Sequence, residues 1–483
     1  MSLPSLVGTL DRFADTAEVR TSRDLHWLDY RYLGGILESY PGVFVRDQES
    51  EGQYSQATFD GIDWKAVSVS LNGRGLNDPA SGVFNLYHFT TEFADRIEVV
   101  TGPRAFLYGL NSTGAAVNLV TKNYNSNKPF TKINYAEGAY GYTNVDGTFS
   151  QNISRRINIT LGFQHQDTDG RYLGESHDAW NTREKIRYNI SRELNLILSH
   201  CYMSTQTQMN GGVDIANGNG AFAFDNSLTH VIEDSAYEKL TKNDVDVSLV
   251  GTFLGDTADV TNLTLYYSHT MREYREGEDP YHVYPPRVSS DHISSWTGVR
   301  LTQEFAAAFQ RFSGGGSAEL RQIEASPNLG RRRDIVGALW AKEEVDPARD
   351  IALALYGRID TYLGKEYAGF GADASLRIGG WLSLFGGGST SWRVPDYQEL
   401  FWTDSTVVRT GPIVAEHHTV AEAGATIGTP EAGTVRIAMF HRTVADPIMF
   451  SPYNGAASPF KGASIANGPT ISTSGINAHI DIR

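Results

Sequence analysis

The chain has 483 residues and a formal net charge of −15, and 40% of its residues are hydrophobic. This length exceeds what one ordinary hydrophobic core organises, so we expect a small domain joined to a large one. The acidic balance and the lack of a long Lys/Arg run argue against nucleic-acid binding, because clustered cations are needed to hold a phosphate backbone. A single cysteine, Cys201, excludes an intrachain disulfide and CxxC zinc sites.

Any membrane-spanning segments of this chain must be strands. No stretch of the sequence approaches the roughly 18 to 20 apolar residues of a spanning helix, so a chain that crosses a bilayer would do so as a closed β-barrel. The 48 glycines and 24 tyrosines also favour short strands and turns over helices. Residues 1–19 lack the basic start and apolar run of a secretory signal peptide.

The predicted elements begin with a short helix within residues 20–42. Thr21 and Asp24 have the spacing of a capping box, and Pro41-Gly42 ends the helical pattern. The apolar residues between these ends recur at helical spacing and are Leu28, Tyr32, Leu33, Ile36 and Leu37. A strand is predicted to follow directly after the Pro-Gly pair.

Two later segments carry turn signals. A strand at residues 66–71 ends in Asn72-Gly73, a strong tight-turn pair. Segment 94–122, with the sequence ADRIEVVTGPRAFLYGLNSTGAAVNLVTK, predicts a strand, a Gly-Pro corner, a short helical turn and a second strand. Pro103 suits the first helical position because its missing N–H would be unpaired there. Gly109 suits the position after the helix.

These segments resemble, in order, the plug domain of TonB-dependent outer-membrane receptors. LGGILESYPGVFVR resembles the family's LxDLLxxxPGVxVx, GIDWKAVSVSLNGRGLNDP resembles IRGxxxxxVxVLxDGxPxN, and segment 94–122 resembles RIEVVRGPxSxLYGxxAxGGxINIxTK. The residues that carry the plug motif are Pro41, Gly42, Gly61, Asn72, Gly73, Arg96, Glu98, Gly102, Pro103, Tyr108, Gly109, Gly114 and Asn118. The resemblance implies a domain that fills the lumen of a membrane barrel.

The chain departs from the family pattern at several positions. Asp60 and Thr101 stand where the family has Arg, Asn72 where it has Asp, and Ala115 where it has Gly. We therefore expect weaker Arg–carboxylate contacts between the plug and the barrel wall.

From Phe130 onward, apolar and polar residues alternate with a period of two. The clearest stretches are residues 157–164, 262–268, 351–356, 435–440 and 476–483. Such alternation is typical of membrane β-strands, with lipid on one face and a wet lumen on the other. A soluble sandwich or propeller alternates as well, so the pattern alone leaves both architectures open and the plug-like segments favour the barrel.

The resemblance implies a mainly β fold, a large antiparallel transmembrane β-barrel with an N-terminal α+β plug domain inside the lumen. Family barrels have about 22 strands, of which roughly 16 are recognisable here. We expect an N-terminal extension at 1–18, a plug at 19–125 and a barrel at 126–483. SWRVPDYQELFW also resembles a barrel motif of the family, near RxPxxxEL. We expect that the final strands and a signal peptide lie beyond both ends of this sequence.

The sequence contains no convincing catalytic constellation, so we do not expect an enzyme, a cofactor or a metal site. His417 and His418 are adjacent and would face opposite sides of a strand, which makes a poor metal pair. The Gly-rich runs at 314–316 and 386–388 lack the Lys-Ser/Thr of a phosphate loop.

The resemblance implies active transport of a scarce, large solute across the outer membrane of a Gram-negative bacterium, energised by the TonB–ExbB–ExbD complex of the inner membrane. Ferric siderophore is the family's commonest cargo class, with cobalamin next. Outer-membrane lipid and a small-molecule or metal-chelate ligand are then the other partners. A passive porin and a soluble β-rich carbohydrate-binding or enzymatic protein are the alternatives.

Cargo contacts are expected at the outward plug loops, residues 48–56 and 77–88. The ligand-binding candidates are Tyr54, Asn77, Tyr87 and His88, and packing against the barrel wall is the other explanation for these side chains. A cation cluster for an anionic chelate could be formed by Arg46, Lys65, Arg74 and Arg104. Tyr266, Tyr267 and Trp381 are expected in the aromatic girdles at the bilayer interfaces.

Overall fold

The computed structural model describes residues 17–48, 50–124, 126–215, 224–226, 228–252, 259–277, 288–307, 309–403, 407–429, 432–453 and 462–481. Most of the expected extension at 1–18 therefore lies outside the described residues. None of the described helices is both long enough and apolar enough to cross a bilayer.

The N-terminal part is a small α+β unit, which we call the plug. Its strands are β1 (Ala17–Thr21), β2 (Val43–Arg46), β3 (Gln56–Phe59), β4 (Val67–Leu71), β5 (Arg74–Gly75), β6 (Ala94–Thr101) and β7 (Ala115–Thr121). Its helices are α1 (Ser22–Leu25) and α2 (Leu33–Leu37), and single helical turns lie at Trp64–Ala66, Leu86–His88, Thr91–Phe93 and Gly102–Tyr108. Five strands form one sheet in the order β1-β6-β7-β4-β5, and β2 pairs with β3. Leu33, Ile36 and Leu37 of α2 pack in a fully buried core with Ile97 and Leu119 of the sheet.

The helix predicted within residues 20–42 is two short helices. The capping box at its start is confirmed, since Thr21 Oγ1 accepts from the Asp24 N–H and the Asp24 carboxylate accepts from the Thr21 N–H. Tyr32 is extended (φ −148°, ψ 179°) and interrupts the helix. This backbone places its ring 3.9 Å from the Tyr87 ring and its hydroxyl 2.5 Å from Asp47 Oδ2.

The remainder forms one antiparallel sheet of 16 strands, which we call the barrel wall. In the sheet order from one edge to the other the strands are β8 (Phe130–Glu137), β9 (Thr143–Asn152), β10 (Ile157–Thr168), β11 (His177–Asn189), β12 (Leu194–Gln208), β13 (Tyr237–Gly251), β14 (Val260–Glu276), β15 (Val288–Ala307), β16 (Gln310–Ala325), β17 (Arg332–Ala348), β18 (Ile351–Tyr362), β19 (Lys365–Ile378), β20 (Leu382–Arg393), β22 (Glu416–Thr429), β23 (Gly433–Ala445) and β26 (Ile471–Asp481). The expected number of recognisable strands is confirmed.

Two connections of the wall carry further structure. Helix α3 (Tyr397–Phe401) and strand β21 (Val407–Arg409) lie between β20 and β22. Strands β24 (Ile448–Tyr453) and β25 (Gly462–Asn467) lie between β23 and β26, and β25 pairs with both β21 and β24. The short links fall at the opposite ends of the strands, for example between β9 and β10 and between β11 and β12. The wall therefore has one long-loop end and one short-turn end, as membrane barrels do.

The wall has its apolar side chains on the outside. On β10, Leu161 and Phe163 are 46% and 47% exposed, whereas Asn158 and Thr160 on the other face are buried. The same polarity holds on other strands, with exposed Leu355, Ile437, Met439, Ile476 and Ile480. This inverted arrangement confirms the expected lipid-facing barrel and is the opposite of a soluble sandwich, in which apolar residues fill the space between sheets.

The wall curves around the plug. Plug side chains contact strands from one edge of the sheet to the other, through the pairs Glu92–Lys132 on β8, Thr90–Gln164 on β10, Arg74–Asp244 on β13, Arg104–Asp373 on β19 and Asp60–Asn477 on β26. A flat sheet could not touch one small domain with both of its edge strands. The plug therefore lies in the lumen, as expected from the resemblance.

The girdle prediction is wrong for Tyr266. Tyr267 is 43% exposed on the outer face, but Tyr266 is buried on the inner face, where its hydroxyl donates to Glu319 Oε2 at 2.7 Å. The two faces alternate along β14, so neighbouring aromatic residues cannot both meet lipid. Trp381 is exposed in the turn between β19 and β20.

Candidate functional site

Arg74 joins the plug to the wall through a buried ion pair. It directly follows the Asn72-Gly73 turn, in which both residues have positive φ, and this turn directs the side chain away from the plug sheet. Arg74 Nε lies 2.9 Å from Asp246 Oδ1 and Nη2 lies 3.0 Å from Asp244 Oδ2, both on β13.

Arg104 makes the second such connection. It lies in the helical turn that begins after Thr101, with Pro103 in the first helical turn as expected. Its guanidinium Nη1 lies 2.7 Å from Glu344 Oε1 on β17, and its Nε lies 2.5 Å from Asp373 Oδ2 on β19. The expectation of weakened Arg–carboxylate contacts is therefore wrong for the plug as a whole, because Arg74 and Arg104 supply buried ones.

The proposed cation cluster is not an open anion site. Arg74 and Arg104 are buried against carboxylates of the wall, and Lys65 Nζ lies 2.5 Å from Asp396 Oδ2 and 3.2 Å from Glu399 Oε1. Arg46 lies over the Trp64 ring at 5.7 Å. These positive charges are spread around the plug instead of meeting at one surface.

Several motif residues form a buried polar network inside the plug sheet. Arg96 Nε donates to Glu98 Oε1 at 2.7 Å, and Asn118 Nδ2 donates to Glu98 Oε2 at 2.9 Å. The Asn118 oxygen then accepts from the Gly73 N–H at 2.9 Å, and Asn72 Oδ1 accepts from the Thr121 N–H. The network fixes the turn that presents Arg74 to the wall.

The motif glycines serve backbone geometry and close approach. Gly42, Gly61 and Gly102 have φ values of +71°, +73° and +70°, which favour glycine. Gly109 is extended, and a Cβ there would lie 2.6 Å from Ser68 Oγ, while one at Gly114 would lie 2.3 Å from Ile62 Cγ2. Pro41 and Tyr108 lie at the boundary between plug and wall, each lining a small cavity there.

The four predicted ligand residues lie in the plug loops but not in one cluster. Asn77 Nδ2 donates to the carbonyls of Val67 and Gly82 at 3.0 and 2.9 Å. The Tyr87 hydroxyl donates to Asp47 Oδ2 at 3.2 Å.

Tyr54 and His88 are partly buried in the plug loops. Burial raises the pKa of the Tyr54 hydroxyl, and burial also lowers the pKa of His88 well below its usual value of 6.5. Ligand contact by these four residues stays a prediction. The hydrogen bonds described above already give the side chains of Asn77 and Tyr87 partners within the plug.

A larger cavity, which we call the outer cavity, lies at the long-loop end. Its volume is about 360 Å³. Three parts of the molecule line it: a plug loop, strands β13 to β16 of the wall with the loop after β16, and the α3 segment. The plug residues are Asp78 and Ala80, and the others are Glu238, Thr270, Arg272, Tyr274, Val288, Ser290, His292, Ile293, Ser294, Ile323, Asn328, Gln398 and Trp402. The cavity thus connects the plug to the loops.

The outer cavity offers one cation and a stacked aromatic pair. Arg272 Nε lies 3.4 Å from Glu238 Oε1, and the His292 ring stacks on Trp402 with centroids 5.7 Å apart. The aromatic pair suits flat parts of a ligand, while Arg272 shares the lining with the carboxylates of Glu238 and Asp78. No sequence pattern pointed to these residues, because they come from separate elements and no short motif contains more than one of them.

Helix α3 connects the outer cavity to the plug. Gln398 and Trp402 line the cavity, whereas Asp396 and Glu399 hold Lys65 of the plug. Asp396 and Glu399 also form a capping box, in which each side chain accepts from the other's N–H. The segment is anchored by Arg393, which pairs with Glu399 and Glu416.

His417 and His418 lie in different surroundings at the start of β22. His418 is buried and lies 2.9 Å from Glu416 Oε2, whereas Nε2 of His417 lies 2.6 Å from Thr390 Oγ1. Within the described ranges, no group of three or more His, Cys, Asp or Glu side chains is placed to hold a metal ion.

A wall with apolar side chains on its outer face and an α+β plug in its lumen defines a class of protein, the plugged membrane barrel. Residues 12–116 match the family described as TonB-dependent Receptor Plug Domain. The chain therefore carries this family's plug domain and has the plug-and-barrel fold of TonB-dependent receptors.

Solved structures of three such proteins are similar over nearly the whole chain. The siderophore receptor PirA from Acinetobacter baumannii has a TM-score of 0.76 at 12% identity, covering 97% of this chain and 78% of that one. The ferric enterobactin receptor PfeA from Pseudomonas aeruginosa has a TM-score of 0.74 at 13% identity, covering 96% and 77%. The copper transporter OprC has a TM-score of 0.78 at 13% identity, covering 99% and 78%.

Proposed function

We propose that this chain is an active-transport receptor that takes up a scarce, large metal chelate across the outer membrane of a Gram-negative bacterium. The observation that carries this proposal is a plug that occupies the lumen beneath a cavity at the long-loop end. A ferric siderophore is the first cargo class, because PirA is a siderophore receptor and PfeA a ferric enterobactin receptor, and cobalamin is the second.

The plug contacts explain why transport would need an energy source. Opening a path requires separation of Arg74 and Arg104 from buried carboxylates of the wall. Breaking a buried ion pair costs several kcal/mol when one partner is left unpaired. The TonB–ExbB–ExbD complex is the partner that would supply this work, while outer-membrane lipid covers the apolar outer face.

The outer cavity is the proposed place of cargo binding. Arg272 would donate hydrogen bonds to oxygen atoms of the chelate, and the His292–Trp402 pair would pack against its flat groups. The plug candidates Tyr54, Asn77, Tyr87 and His88 would contact cargo from below after the plug loops shift.

The experiment measures uptake of radiolabelled iron, supplied as a panel of siderophores, and of radiolabelled cobalamin by cells that express the full chain. We expect uptake of one cargo that stops when the proton gradient is collapsed. Arg272→Gln should reduce cell-surface binding of that cargo, whereas Arg333→Gln, at an exposed position of β17, should not. Uptake that continues without a proton gradient would instead identify a passive porin, and recovery in the soluble fraction would contradict both membrane proposals.

A further inference from the structure

A second cavity, which we call the inner cavity, lies between the β4–β5 turn of the plug and strands β14 to β18 of the wall. Its volume is about 90 Å³, enough for several water molecules or a small ion. Its lining is strongly cationic, with four arginines and a single carboxylate among the described lining residues. The arginines are Arg74, Arg300, Arg321 and Arg358, and the carboxylate is Glu319.

Three of the four arginines have carboxylate partners. Their pairs are Arg74 with Asp244 and Asp246, Arg321 with Glu319, and Arg358 with Asp360. Glu319 also accepts from the Tyr266 hydroxyl, so each of its two oxygens already has a donor. Asp244 also lies 3.5 Å from Lys242 Nζ, so these pairs contain four cations and four carboxylates. The fourth arginine of the lining is therefore the excess charge.

Arg300 is that fourth arginine. Its guanidinium lies 4.3 Å from the centroid of the Trp340 ring, and a Cβ at Gly73 would lie 3.4 Å from its Nε. Within the part of the chain that the structure describes, Arg300 has neither an ion pair nor a hydrogen bond. The side chain is thus fixed between an aromatic face and the plug turn, while its five N–H donors need acceptors.

Arg300 is partly buried, and a partly desolvated cation without a carboxylate partner is stabilised by a counter-charge. We propose that the inner cavity binds a small inorganic anion, such as chloride, on the guanidinium of Arg300. The anion would also lie near the Gly73 turn that presents Arg74. It would therefore strengthen the seating of the plug against the wall, independently of which cargo the receptor carries.

Crystallography with bromide tests the site directly. Crystals of the full chain in detergent are soaked in sodium bromide, and anomalous diffraction is collected at the bromine edge. We expect a bromide peak in the inner cavity within hydrogen-bond distance of the Arg300 guanidinium. An inner cavity that holds only water under these conditions would overturn the proposal, as would a peak that remains unchanged in Arg300→Gln.

Thermal unfolding provides a test in solution. We expect a higher Tm in sodium bromide than in sodium gluconate at equal ionic strength, because gluconate is too large to enter the cavity. This difference should vanish in Arg300→Gln, shrink less in Arg300→Lys and persist in the surface control Arg333→Gln. Equal Tm values of the unmodified chain in the two salts would contradict the proposal, and this comparison holds even when a variant does not fold. Neither measurement depends on uptake, so the proposed transport function and the anion site can fail separately.

Discussion

Arg104 shows how one side chain ties two parts of the molecule together. It extends from a short helical turn of the plug and reaches carboxylates on β17 and β19, two strands that are separated by β18 in the wall. Its planar guanidinium can satisfy both at once, which a lysine could not do with the same geometry. Arg104 and Glu344 are buried and Asp373 is largely enclosed, so removal of the arginine leaves Asp373 without its ion-pair partner and leaves Glu344 to Lys342 and Arg311.

We therefore expect Arg104→Met to destabilise the seated plug by about 3–5 kcal/mol, the usual cost of breaking a buried ion pair from one side. Urea titration of the purified protein in detergent measures the loss. Arg31→Met is the matched control, because Arg31 is an exposed plug arginine paired with Glu51, and such surface pairs contribute about 0–1 kcal/mol. Equal effects of the two substitutions would contradict the assigned role of Arg104.

His88 provides a pH-dependent prediction at the same scale. Burial lowers its pKa in the folded plug well below 6.5, so the unfolded chain binds a proton first on acidification. The stability from a neutral His88 is therefore fully present above about pH 6.5 and is lost as pH falls toward the lowered pKa, with a slope of at most about 1.4 kcal/mol per pH unit. The free energy of unfolding, measured by urea titration at several pH values, should change less with pH in His88→Gln than in the unmodified chain. Identical pH dependences of the two proteins would show that the folded plug does not lower the pKa of His88.

Helix α3 is the element that joins the proposed cargo site to the plug. One side of this five-residue helix and its C-terminal end face the outer cavity through Gln398 and Trp402, and the other side holds Lys65. A ligand that moves Trp402 would therefore shift the carboxylates that bind Lys65. The helix could transmit cargo binding to the plug over a short path of direct contacts.

Lys65→Met tests this connection, since it removes both ion pairs to α3 but leaves the capping box and the outer cavity unchanged. We expect cargo to bind at the cell surface nearly as before, while uptake slows. Surface binding in chilled cells and uptake in energised cells give the two measurements. Lys128→Met, at an exposed position, is the control. Unchanged uptake by Lys65→Met would exclude α3 as a functional connection.

At the scale of the whole molecule, the plug and the strands could be predicted because their signals are local. The Asn72-Gly73 turn, the Pro103 corner and the Thr21 capping box each depend on residues that are close in sequence. The alternation on β10 likewise shows which residues share a face, and the structure places its apolar face outward.

The arrangement between distant segments could not be predicted in this way. Arg272 and His292 are cross-strand partners on β14 and β15, but Trp402 lies more than 100 residues further along the chain and joins them only through the tertiary fold. Tyr266 shows a different error, because its aromatic character suggested a girdle although Asn262 and Thr264, which alternate with it on the same face, already indicated the lumen side. Lys65, Arg74 and Arg104 seemed free for an anionic cargo because the carboxylates of the wall that pair with them lie far away in sequence.

The central claim is that residues of the plug lie inside a lipid-embedded wall and must move for transport. Thr90 and Gln164 test it, because Thr90 Oγ1 donates to Gln164 Oε1 across the plug–wall boundary at 2.8 Å. Both residues are replaced by cysteine in a Cys201→Ser background. A short thiol crosslinker added to isolated outer membranes should then link the two cysteines. A pair at Thr90 and Arg333 should not, because Arg333 is exposed on β17. We predict that the crosslink between positions 90 and 164 stops uptake and that cleavage of the crosslink restores uptake. Failure of the two cysteines to crosslink, or uptake that is the same with and without the crosslink, would contradict the account.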